Sequence, residues 1–104
     1  MTYTITKHDA EEVRHKLGVL ADTEDLRDDY GMTKEQADAL LASVPSEGGT
    51  WEVPAWAAKA VRDEMTDHVA VLRDIAHDAR RNREEGQALR IAKQAARFER
   101  LFES

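Results

Sequence analysis

Residues 54–81 read PAWAAKAVRDEMTDHVAVLRDIAHDARR, and the reading of this stretch decides the fold. Stepped at about 100° per residue, Val61, Met65, His68, Val69, Leu72, Ile75, Ala76 and Ala79 fall on one side. Arg62, Asp63, Asp67, Asp74 and Asp78 lie largely opposite. A broad apolar stripe with a charged back marks a helix laid against a core. Pro54 suits the first turn, where its missing N–H leaves no bond unmade. Val53, directly before the proline, is steered to extended backbone, so the helix starts no earlier. Arg80, Arg81 and Arg83 gather at the far end, where cations suit the carbonyl pole of the helix dipole.

Immediately upstream, Thr50-Trp51-Glu52-Val53 alternates as a strand, with Trp51 and Val53 on one face and Glu52 on the other. Its partner is the β-branched run 2–6, because no third strand candidate exists. A two-stranded ribbon is marginal alone in water, so it must lie on helices. Thr6-x-x-Asp9 has the form of a capping box, with Ile5 and Ala10 as its staple. A first helix follows to about Ala21, burying Ala10, Val13, Leu17 and Leu20 and tolerating Gly18. Residues 22–31 form an acidic connector pinned by Leu26 and Tyr30. Thr33-x-x-Gln36 caps a second helix with the apolar face Ala37, Leu40, Leu41 and Val44. Pro45 ends it, and Ser46-Glu-Gly-Gly49 is a turn.

Downstream of Arg81 two readings compete. A helix unbroken to Phe102 would be about 75 Å long at 1.5 Å per residue. A domain of this size is nearer 30 Å across, so most of that rod would have nothing to pack on. The preferred reading breaks the chain near Gly86, with Asn82 capping a last helix that folds back and Glu84 and Glu85 in its first turn. That helix, about 84–103, turns Ala88, Ala92, Ala95, Phe98 or Phe102, and Leu101 to a packing surface. Arg90, Lys93, Arg97 and Arg100 recur at spacings of 3, 4 and 3 on another face. The architecture expected is a single mostly α domain over 1–104, with three or four helices and a short two-stranded β-ribbon.

The composition, 41% hydrophobic and 35% charged in 104 residues, fits a small globular chain rather than a disordered one. Cysteine is absent, which excludes disulfides and thiol chemistry and fits a reducing compartment. No apolar run approaches the ~18 residues of a membrane span, and the N-terminus has no signal-peptide pattern, so no membrane contact is expected and the cytoplasm is the expected location. The net charge of −6 is uneven: residues 1–79 hold 8 Lys/Arg against 17 Asp/Glu (−9), and residues 80–104 hold 7 against 4 (+3).

Each constellation that might carry chemistry has a plainer reading. Glu12-x-x-His15 and Asp74-x-x-His77 have the spacing of di-iron carboxylate–histidine pairs, but His15 and His77 lie off the apolar faces and a four-helix ligand set is missing. Asp22, Glu24, Asp25, Asp28 and Asp29 crowd together without the alternate oxygens and central glycine of a calcium loop. Glu64 and His68, one turn apart, read as a half-buried packing pair. Thr33 to Leu41 could open a helix-turn-helix, yet the helix that follows is apolar and acidic, unlike a groove reader. Ser43, Ser46 and Ser104 have no histidine near in sequence, and no nucleophile elbow, phosphate loop or zinc motif occurs. No cofactor, metal or catalytic residue is therefore expected.

What remains is a polarised surface. The acids Asp25, Asp28 and Asp29 and the stripe Arg90, Lys93, Arg97 and Arg100 would steer a charged partner, and Trp56 would anchor it. Trp51 and Trp56 together also read as a plug that docks the ribbon. The function expected is a non-catalytic protein–protein interaction module of regulatory or inhibitor type, with a homodimer among its assemblies. The alternative is a nucleic-acid-associated regulator that contacts phosphates through the basic stripe, against which the acidic remainder of the chain argues.

Overall fold

A computed structural model of the chain describes residues 1–22 and 30–102. In order along it come β1 (Thr2–Ile5), α1 (Lys7–Ala21), α2 (Lys34–Ser43), β2 (Gly49–Glu52), a 3-10 turn (Ala55–Ala57), α3 (Ala58–Arg81) and α4 (Glu85–Phe102). The chain is mostly α with a small β-ribbon, as the hydrophobic periodicity implies. It divides into two compact units, Met1–Val61 and Arg62–Ser104.

In the first unit the ribbon is antiparallel, with Thr2 opposite Glu52, Tyr3 opposite Trp51 and Ile5 opposite Gly49. Tyr3, Ile5, Trp51 and Val53 are buried while Glu52 is exposed, the period-2 alternation of a sheet with one wet face. The Tyr3 and Trp51 rings lie 6.1 Å apart, tilted by 44°. Both expected capping boxes form. Thr6 Oγ1 accepts from the Asp9 N–H at 3.1 Å while Asp9 Oδ2 accepts from the Thr6 N–H at 2.9 Å. Thr33 and Gln36 make the same exchange at 3.1 and 3.0 Å. α1 packs on α2, and Val13, Leu17, Leu20, Ala37 and Leu40 are buried.

A relay ties β2 to the end of α2. The Trp51 indole N–H donates to Ser43 Oγ at 2.9 Å, and the Ser43 hydroxyl donates to the Leu40 carbonyl at 2.5 Å. A buried indole needs such an acceptor. The turn between them is closed by the Gly48 N–H on the Pro45 carbonyl at 2.9 Å. Gly48 has φ 86°, and a Cβ there would stand 2.7 Å from the Lys7 backbone nitrogen and 2.8 Å from the Thr6 carbonyl carbon. No side chain fits that approach.

The start of the long helix differs from expectation. Pro54 is extended, with ψ 150°, and a 3-10 turn over Ala55–Ala57 precedes α-helical hydrogen bonding, which sets in at Ala58. The proline still marks the entry, but the first turn is wound tighter than the sequence implies. Ile75 also departs from the expected stripe. It is 45% exposed, with Val71 one turn before it exposed as well, so the buried face is the narrower set Val61, Met65, Val69, Leu72, Ala76 and Ala79.

In the second unit α3 and α4 form an antiparallel hairpin. The His68 and Phe98 rings meet edge-to-face at 5.5 Å, and Arg73 is ion-paired with Glu99. Phe98 stacks on Phe102, one turn on, at 6.0 Å, and both are buried with Ala88 and Ala95. Ala92 and Leu101 are half-buried. The helix breaks, as preferred above, at residues 82–84 and not at Gly86, which lies inside α4. Asn82 is not the cap of α4: its N–H bonds the Asp78 carbonyl at 3.0 Å and so continues α3. The Arg83 N–H bonds the Arg80 carbonyl at 3.1 Å and the Glu84 N–H bonds the Ala79 carbonyl at 2.8 Å. That pair is a Schellman motif. Arg83 takes the left-handed position at φ 63°, the one described non-glycine residue with positive φ. Glu84 then serves as N-cap of α4, its carbonyl accepting from the Ala88 N–H at 2.9 Å.

Candidate functional site

Ala88, Ala95, Phe98 and Phe102 commit one side of α4 to packing. At about 100° per residue, Arg90, Lys93, Arg97 and Arg100 project from a sector roughly 80° wide on the opposite side. All four are exposed. Leu89 belongs to the same outward face and is 55% exposed. The sequence pattern places the basic stripe but says nothing special of Leu89, because a lone leucine among charges carries no period. Its exposure becomes legible only once the buried side of α4 is known.

Arg90 and Lys93 make no ion pair among the described residues. The face thus combines one apolar side chain with guanidinium and ammonium groups open to water. Such a surface can seat a partner's apolar side chain within a charged rim, an arrangement in which the apolar contact supplies affinity and the rim supplies orientation.

The other candidate residues lie in the first unit. Trp56, in the 3-10 turn, is 50% exposed, whereas Trp51 is 1% exposed and held by Ser43. The two tryptophans therefore divide the roles proposed for them: Trp51 docks the ribbon, and Trp56 presents an aromatic surface to solvent. Tyr30 is half-buried and carries the Lys59 ammonium 5.4 Å above its ring. Asp25, Asp28 and Asp29, with Leu26, lie outside the described residues.

Ser43 is engaged in the relay to Leu40. His15 and His77 are exposed, and His68 is half-buried against Phe98. Among the described residues no group of three or more histidine or carboxylate side chains converges as a metal site. No helix among them is long and apolar enough to cross a membrane. Comparison with protein families, with curated proteins and with solved structures finds no match to this chain.

Proposed function

We propose that this chain is a small non-catalytic protein-binding module with a regulatory or inhibitory role, contacting its partner through the outward face of α4. The observation that carries the reading is the placement of Leu89 with Arg90, Lys93, Arg97 and Arg100, directly opposite the buried Ala88, Ala95, Phe98 and Phe102. Trp56 offers a second contact in the first unit, and steering by the acids Asp25, Asp28 and Asp29 would complement a basic patch on the partner. A second copy of the chain is one such partner, since the molecule carries both the acids and the bases that would pair.

The test is quantitative affinity capture from the native cell with wild type, Leu89→Asp and the double variant Arg90→Ala with Arg97→Ala. A protein recovered by wild type and lost with both variants supports the reading. A mobility-shift assay at low salt decides the nucleic-acid alternative: no shift is expected, and a shift abolished by Arg90→Ala with Arg97→Ala would replace the proposal.

A further inference from the structure

At the tip of the α3–α4 hairpin, three arginines stand within four residues: Arg80 and Arg81 in the last turn of α3 and Arg83 in the turn itself. All three are exposed, and none makes an ion pair among the described residues. That is unexpected in a chain of net charge −6 with Asp78, Glu84 and Glu85 close by in sequence. Favourable placement at the carbonyl pole of α3 accounts for Arg80 and Arg81. The same pole suits the charge of Arg83 but not its backbone, which stands at φ 63°, in the Schellman position that glycine fills without strain. Arg83 thus stands where the backbone of an L-residue is disfavoured, and its side chain makes no bond within the described residues.

We propose that Arg80, Arg81 and Arg83 form a second recognition site, for the carboxylates of an acidic segment on a protein partner. The guanidinium is a planar fork of N–H donors that matches a carboxylate in bidentate fashion, and three exposed arginines within four residues offer three such forks. This site is separate from the outward face of α4, and its arginines can be changed without touching Leu89 or the stripe.

The test titrates the ¹⁵N-labelled full chain with an alanine-based peptide carrying four spaced glutamates, and in parallel with a short DNA duplex. The arginine Nε–Hε signals are followed by NMR. Peptide binding that moves the Arg80, Arg81 and Arg83 signals is expected, with the stripe signals still. Arg83→Gly is the decisive variant, because glycine suits the backbone and the fold cannot be the casualty. It is expected to raise Tm by about 3 °C or more and to weaken the peptide at least threefold, and the triple variant with Arg80→Ala and Arg81→Ala at least tenfold. Arg83→Lys, which keeps charge and loses the fork, should fall between wild type and glycine. A raised Tm with unchanged peptide affinity overturns the proposal, as does a peptide that binds nowhere. Tighter binding of the duplex through the same arginines overturns it in favour of a nucleic-acid site. Loss of partner capture by the Leu89 and stripe variants is an independent result, so failure of one site is distinguishable from failure of the other.

Discussion

Gly48 is the residue on which the first unit is least forgiving. Its α-carbon faces the Thr6–Lys7 peptide, and an added methyl would lie 2.7 Å from the Lys7 nitrogen at a φ of 86° that alanine resists. Gly48→Ala is expected to cost more than about 2 kcal/mol, since backbone strain and a clash with main chain act together, which a fall in urea midpoint would register. Gly49, one residue on, has open space around it, so Gly49→Ala should lose only the strain of its own positive φ of 120° and fall short of that. Ser43→Ala is predicted to cost about 1–2 kcal/mol, because it leaves the Trp51 indole N–H buried without its acceptor. At this scale the sequence is legible wherever a side chain's role is local. The threonine caps at Thr6 and Thr33 follow from spacing alone, because both halves of a capping box lie three residues apart. The relay from Trp51 through Ser43 and the left-handed Arg83 do not follow. The first joins residues eight apart across a turn, and the second assigns to arginine a conformation that its side chain gives no hint of.

Among the elements, the two tryptophans offer the sharpest check. Trp51 should emit as a buried indole, and Trp56 as a solvated one. Iodide is expected to quench about half the emission of wild type and almost none of the Trp56→Phe variant, and that variant should emit at shorter wavelength. Equal quenching of both would contradict the docking of β2. In the hairpin, Phe98 contacts both His68 and Phe102 and is 1% exposed. Phe98→Ala should therefore cost about 3–5 kcal/mol, the range for emptying a buried aromatic site, measured by chemical unfolding. Periodicity locates α3 and α4 well because each has one apolar side. The break between them is harder to place. Gly86 is the obvious punctuation, yet glycine at the second position of a helix is tolerated, and the chain turns instead at Asn82–Glu84. Ile75 misleads for a related reason: it sits at the margin of the stripe, where the wheel cannot say how far the packing surface extends.

For the molecule as a whole, charge is the property most open to experiment. If the outward face of α4 meets a second copy, sedimentation at several concentrations will show the weight-average mass rising above 11.7 kDa, and Leu89→Asp will hold it there. A strict monomer at every concentration removes the homodimer and leaves a different protein as the proposed partner. Added salt should weaken either complex, because exposed charges are screened within about 10 Å at 0.1 M. How the basic stripe would be presented was readable from residue spacing, since 3-4-3 is a helical row. Which end of the chain carries the hairpin tip as a distinct surface was not, because that depends on where α3 stops.

The pairing of Thr2–Ile5 with Gly49–Glu52 has a consequence for how the chain is made. The first strand leaves the ribosome more than forty residues before its mate does, an interval of roughly 2–9 s at ~5–20 residues per second. Throughout that time Tyr3 and Ile5 are on view to chaperones and proteases. A chain released before Gly49 should be degraded quickly, and one released past Val61, with the first unit complete, should persist.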